Sequence, residues 1–281
     1  MLFTGPSGAG KTKGMFEIAE RALRLGKRVF YMAFDDGYMR HLSKVEKYLI
    51  HHNDSELTSS DTLGTFHLWN CYDWPSTRRA YDESKVLWQR KDWIMLDRAD
   101  MAWDFIQEYT GALREQVMPE DLDKLYYERK LAKLAGTTKE ESERLKSNPG
   151  GEQDIPWDVV KGAFKGVLYD VTCGPDSVSL RMNVIVSELA QMGIRRFSKS
   201  ETTEQKNDPR RLYAFNMVIQ GEKNVPSWTE ATVIFQEENG VYTISTSKDR
   251  ERKLIANVPV DPEVGFWDTY CSAAVGEELS V

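Results

Sequence analysis

Cysteine is scarce in this 281-residue sequence: only Cys71, Cys173 and Cys271, widely spaced and with no Cys-x-x-Cys pair. An odd number so spread argues against a disulfide framework and a thiolate zinc site, and a reducing, cytoplasmic setting is expected. Histidine is equally thin. His41, His51, His52 and His67 show no spacing to Cys or Asp that suggests a metal other than magnesium, and His51-His52 reads as the surface end of a helix. No apolar run approaches the ~18 residues of a membrane span. No signal peptide is expected, because the first strand leads straight into a glycine loop. Excess positive charge is also missing, with 37 Lys and Arg against 44 Asp and Glu. A polyanion would therefore have to be met by a local patch. There is no internal repeat and no low-complexity tract. What is present, 41% hydrophobic and 29% charged residues, suits one large α/β domain or one domain with an insertion.

Strand-like and helix-like segments alternate through the first half. Met1–Thr4 is a short apolar strand, and 11–25 reads as a helix closed by Gly26. Residues 28–34 form the next strand, and 38–50 suit a helix with apolar positions three to four apart. A strand at 65–69, a helix at 76–89 and a strand at 92–96 follow. This alternation implies a parallel sheet covered on both faces. The stretch 119–151 breaks the rhythm, being rich in Lys, Glu and Leu, and reads as a helical insertion. A helix at 155–169 leads to a strand at 183–187, and strands are expected at 214–219, 231–236 and 241–246. The last two flank Glu238-Asn239-Gly240, whose Asn-Gly supplies the positive φ of a tight hairpin. Residues 1–258 are read as the domain and 259–281 as a peripheral tail, with Phe266 and Trp267 as its anchors. Trp69, Trp74, Trp88, Trp93 and Trp103 fall among the elements and are expected in the core.

Chemistry concentrates in Gly5, Pro6, Ser7, Gly8, Ala9, Gly10, Lys11 and Thr12, which match GxxxxGK[ST] at every position. Average usage gives roughly one chance match per hundred chains of this length, and an apolar strand before and a helix after lower that further. Glycines let backbone N–H groups wrap phosphates, and the helix start adds a favourable dipole. Lys11 would reach the β- and γ-phosphates and the Thr12 hydroxyl would ligate Mg²⁺. Trp93–Asp97 supplies a second part: an apolar strand ending in a carboxylate, Asp97, able to hold the metal's water shell. The next residue is Arg98 rather than the glutamate with which many P-loop motors activate water.

With those motifs in place the chain resembles the RecA-like ATPases over residues 1–255, apart from the insertion. In that family the glutamate that polarises water ends the strand after the first helix. Here Asp35 and Asp36 occupy that place, with aspartate where glutamate is usual. Lys248-Asp249-Arg250 follows a late strand, as does the Lys-x-Arg pair that RecA-superfamily hexamers insert into a neighbour's active site. Thr246–Arg250 looks most like the short phage-encoded members that act in recombination or strand annealing. The resemblance implies a three-layer α/β/α sandwich with sheet order (65–69)–(28–34)–(92–97)–(183–187)–(1–5), extended beyond the first strand by antiparallel C-terminal strands. It also implies a γ-phosphate sensor at Ser187 and Glu188, the latter a second candidate for activating water.

The implied activity is ATP hydrolysis with Mg²⁺, coupled to single-stranded DNA binding, in a ring or filament with active sites between subunits. DNA contact is expected from the segment after the sensor strand, Gln191 to Leu212. It carries Arg195, Arg196, Lys199, Lys206, Arg210 and Arg211 against Glu201, Glu204 and Asp208. Phosphate contacts need such local charge whatever the global sign, and Phe197 could stack on a base. The alternatives are a viral packaging or helicase motor, a small-molecule kinase, and a nucleotide-gated scaffold with little turnover.

Overall fold

The computed structural model describes residues 1–52, 64–121, 125, 157–172, 183–187, 190–191, 211–212, 217–219, 225–250 and 252–274. Apolar strand segments and amphipathic helices alternate as their patterns require. Strand β1 (Leu2–Thr4) runs through the glycine loop into helix α1 (Lys11–Arg24), and β2 (Val29–Ala33) follows. Two 3₁₀ segments (Asp36–Lys44 and Glu46–Tyr48) lead to a short strand β3 (Leu49–His51). Then come β4 (Phe66–Asn70), α2 (Trp74–Lys85), β5 (Trp93–Asp97), α3 (Ala99–Glu115), α4 (Trp157–Thr172) and β6 (Asn183–Ser187). Strands β7 (Ala190–Gln191), β8 (Arg211–Leu212) and β9 (Met217–Ile219) precede a four-residue helical turn, α5 (Val225–Trp228). The chain closes with β10 (Ala231–Glu238), β11 (Val241–Asp249), β12 (Val258–Pro259) and α6 (Phe266–Ala274).

Among the described residues, nine strands form one sheet in the order β12-β11-β10-β1-β6-β5-β2-β4-β3. From β4 to β1 this is the order the resemblance implies. The C-terminal extension is antiparallel only in part: β10 lies parallel to β1, Leu2 facing Thr232 and Thr4 facing Ile234, and the antiparallel pairing begins at β11. Asn239 and Gly240 carry φ of 54° and 81° in the β10–β11 turn, so the hairpin forms at the expected dipeptide.

Side chains alternate across the sheet because successive Cβ atoms point to opposite faces. Phe30, Met32, Ile94 and Leu96 pack on one face, where α2, α3 and α4 cover them. Val29, Tyr31, Ala33, Trp93 and Met95 pack on the other, beneath α1 and α6. With both faces buried, the central strands read as continuous apolar runs. Trp69, Trp74 and Trp93 are buried, and Trp88 and Trp103 pack partly buried against the same core.

Four expectations are corrected. The helix at 38–50 is two 3₁₀ segments and an edge strand. Between Asp36 and Lys44 only Tyr38 is buried, so no apolar stripe rewards an α-helical period, and 49–51 pairs with the open edge of β4. His52 is buried rather than on a surface helix end, its ring stacked on Trp69. The strand near 214–219 covers Met217–Ile219 and joins a separate three-stranded sheet, β7-β9-β8. The expected tail is peripheral only in part: Pro259 and 261–264 are exposed, whereas the expected anchors Phe266 and Trp267, with Tyr270 and Cys271, are buried against α1's side of the sheet. Most of the 119–151 insertion lies outside the described residues.

Candidate nucleotide site

The glycine loop is built by close backbone approach. At Gly5, φ is 146° and a Cβ would stand 2.1 Å from the Phe235 carbonyl oxygen of β10, so a side chain is excluded. Gly10 sits at the start of α1 with φ 96°, a left-handed conformation that turns the loop into the helix. No side chain caps that helix start and its first turn holds no acidic residue, which leaves its amides and positive dipole end directed at the loop. That is the electrostatic setting of an anion site.

Lys11 is buried, and its ammonium donates to the carbonyl oxygens of Gly5 (2.8 Å) and Pro6 (2.9 Å). Burial pushes its pKa down to about 8, against the pull of Asp97. Thr12 Oγ1 donates to Asp97 Oδ2 at 2.9 Å, so the loop meets the end of β5 as the two motifs require. Tyr31 of β2 donates to the same Oδ2 at 2.6 Å. The other oxygen, Asp97 Oδ1, is buried without a hydrogen-bond partner. Burial raises the carboxyl's pKa, an effect that the Tyr31 and Thr12 hydrogen bonds oppose. A buried acceptor without a donor is costly, and a hydrated divalent cation beside it would supply the missing partner. Thr12 and Asp97 therefore fit magnesium: hydroxyl and carboxylate oxygens are the ligands a hard cation prefers.

A cavity of about 440 Å³ opens over the loop, lined by Gly8, Gly10, Lys11 and Thr12 on one side and Asp35 and Arg98 on the other. Asp35 caps the 3₁₀ segment by accepting from the Gly37 amide at 2.9 Å. Asp35 lines the cavity, whereas Asp36 is exposed. Arg98 has a left-handed backbone (φ 68°, ψ 48°) at the start of α3. Its guanidinium pairs with Asp100 and reaches Asp35 Oδ2 at 3.1 Å. Tyr242 lines the cavity too, its ring against Gly10 and 42% exposed.

Lys248 and Arg250 stand elsewhere in the protomer. In the β10–β11 register Lys248 faces Thr232, which faces Leu2, so it lies at the end of the sheet away from the loop. Its ammonium donates to the carbonyls of Pro226 (3.0 Å) and Thr229, and Arg250 pairs with Glu230 at 3.0 Å. Glu188, Arg195, Arg196, Phe197 and Lys199 lie outside the described residues. The ends of the segment that holds the last four meet at one place: Gln191 of β7 and Arg211 of β8 both face Val218 of β9. β7 starts three residues after β6 ends.

No protein-family model and no curated protein matches the chain. Among solved structures it is similar to the RadB recombinase, at 13% identity and TM-score 0.45 over 92% of this chain and 84% of that one. It is also similar to a second solved structure, described as an ATPase domain, at 10% identity and TM-score 0.41 over 92% of this chain and 78% of that one. The strand order and the loop's junction with Asp97 carry the fold assignment on their own. The fold is RecA-like. Within that frame, Tyr31 and Tyr242 escaped the sequence reading. Tyr31 looks like any strand residue, and only the pairing of β2 with β5 sets its hydroxyl beside Asp97. Tyr242 reaches the loop through the β10–β11 hairpin, a contact between residues more than 200 positions apart.

Proposed function

We propose that this chain is a magnesium-dependent ATPase of the RecA-like kind that couples hydrolysis to single-stranded DNA in recombination or annealing. The observation that carries the reading is the junction of Thr12 with Asp97 at the base of the loop cavity, with Asp97 Oδ1 left unsatisfied beside it. The loop and the start of α1 hold the phosphates. Lys11, drawn off the Gly5 and Pro6 carbonyls, neutralises the β- and γ-oxygens. Thr12 and Asp97 would hold Mg²⁺, which would supply positive charge against the phosphate oxygens. Asp35, two residues beyond β2, would orient a water and accept its proton. The exposed face of Tyr242 suits stacking by the nucleobase.

The DNA part rests on charge: the 191–212 segment carries a local positive excess and begins just beyond β6, the neighbour of β1. A second reading, a binder that hydrolyses slowly, is favoured by Arg98 standing where many motors carry glutamate and by its hold on Asp35.

ATP turnover measured with and without single-stranded DNA separates these readings. Lys11→Ala is expected to lose ~10²-fold or more in kcat, since removing one charge contact to a transition state costs that much, with an unchanged circular-dichroism spectrum. Near-normal turnover would refute the loop's role. The double variant Arg195→Ala/Arg196→Ala is expected to bind single strands more weakly, with a salt slope shallower by up to ~0.7 per lost contact. Turnover indifferent to DNA, with no binding by the parent, leaves the slow binder.

A further inference from the structure

Arg98 is the one residue of the cavity wall whose backbone conformation is unfavourable for its type. A left-handed conformation is unfavourable for a non-glycine residue, and such outliers persist where the surroundings hold them. Here the surroundings are explicit. Arg98 Nε donates to Asp100 Oδ1 at 3.1 Å and Nη2 to Asp100 Oδ2 at 3.0 Å. Asp100 is only 2% exposed, so this fork is anchored on a buried carboxylate. With Nε and Nη2 fixed, Nη1 points across the strand ends to Asp35 Oδ2, and the side chain stays about a quarter exposed on the cavity side. The result is a guanidinium fixed on β5's end, close enough to Lys11 to help lower its pKa, with one edge on a carboxylate that a phosphate could replace.

We infer that Arg98 is a catalytic residue acting within its own protomer: its Nη1 edge binds the terminal phosphate of the nucleotide and in doing so releases Asp35. This rests on the ATPase reading and extends it. In the free site Arg98 and Asp35 neutralise each other. A triphosphate offers Arg98 an acceptor of higher charge, the Asp35 bond is exchanged for it, and the freed carboxylate turns to water. The water oxygen then bonds to the γ-phosphorus as the bond to the bridging oxygen breaks. The electron pair leaves with the diphosphate, and the water's proton passes to Asp35. Arg98 meets the charge that builds on the γ-oxygens, the role that an arginine finger plays elsewhere. Lys248 and Arg250, at the far end of the sheet, cannot fill that role in the same protomer.

The test uses the full chain and two readouts, turnover and trapping of ADP with aluminium fluoride, a mimic of the phosphoryl group in transfer. Arg98→Ala is expected to lower kcat ~10³-fold at every protein concentration, to change ADP affinity less than tenfold, and to abolish trapping. Because that variant leaves Asp100 buried and unpaired, Arg98→Ala/Asp100→Asn is measured beside it as the version without a stranded charge. Arg98→Lys keeps the charge but loses the fork on Asp100, and is expected to stay impaired at least tenfold. If Lys11→Ala is dead while a folded Arg98→Ala/Asp100→Asn turns over within threefold of the parent and still traps ADP, Arg98 is not catalytic. If the parent itself neither hydrolyses ATP nor traps ADP, the ATPase reading fails first, and the assignment of Arg98 falls with it.

Discussion

Withdrawal from solvent holds Lys11 at a pKa of about 8, even though its ammonium donates to two loop carbonyls. Phosphate binding favours the charged form and returns the group towards the ordinary lysine value of about 10.4. The sign follows: between about pH 8 and 10 binding takes up a proton, and affinity falls as pH rises, by at most one decade per unit. Below pH 8 the lysine is charged in both states and contributes no pH dependence. Calorimetry of nucleotide binding near pH 9, in two buffers of different ionisation enthalpy, is expected to report uptake approaching one proton, absent in Lys11→Ala. Zero uptake in the parent would show that Lys11 does not meet the phosphate. At this scale the sequence was informative wherever a residue's placement is local: the loop glycines, Lys11, Thr12 and Asp97 stand in one strand-loop-helix or at one strand end. It was silent on Tyr31 and on the Asp35–Arg98 pair, because those contacts exist only once β2 and β5 lie side by side.

Strands β3 and β4 carry a titratable device of their own. His67 accepts or donates between His52 (2.9 Å) and Thr65 (2.9 Å), and its ring stacks on Phe30 at 4.6 Å. Burial first, then His52 and Arg28, push the His67 pKa down to about 4, and burial lowers His52 as well. The folded state thus keeps His67 neutral where the unfolded chain, at about 6.5, takes a proton. Stability is full above pH 6.5 and declines as pH falls towards 4, by up to about 3 kcal/mol from His67 alone. Urea denaturation at pH 7 and pH 5 is expected to show this loss, and to show less of it in His67→Gln. An identical loss in the variant would assign the pH sensitivity to other groups. Neither the pair nor its partners could be read from the sequence, since β3 was hidden inside an expected helix. The central strands were legible because burial on both faces leaves uninterrupted apolar runs. Helix α3 passed unmarked, although Ala99, Ala102 and Ile106 form a buried helical stripe. The two-residue strands β7 and β8 are too short for any period to show.

Across the molecule, the loop cavity and the Lys248–Arg250 corner stand at opposite ends of the sheet. One chain cannot bring them together, whereas a ring or filament can set the corner of one protomer over the loop of the next. Specific ATPase activity is therefore expected to rise with protein concentration, above a basal level due to Arg98. Arg250→Ala is expected to remove most of the rise and leave nucleotide affinity nearly unchanged, since a finger supplied by a neighbour is worth ~10³-fold or more. Activity independent of concentration, and untouched by Arg250→Ala, would make that pair a surface feature. Sedimentation at the same concentrations gives the matching check on assembly. The sheet order has one more consequence, for the order in which the protein can be made. β1 pairs only with β6 and β10, whose residues arrive more than 180 positions later in synthesis. A nascent chain that has emerged through β5 holds Leu2 and Phe3, fully buried in the finished protein, with no strand on either side. At 5–20 residues per second, those side chains wait about ten seconds or longer before β6 and then β10 close over them. Strands β2, β4 and β5 can already pair in that interval, so the site's carboxylates are placed before the loop that will hold the phosphates is anchored. Strand β1 is thus completed almost last, and a chaperone that engages β1 in the nascent chain would be shielding Leu2 and Phe3 until then.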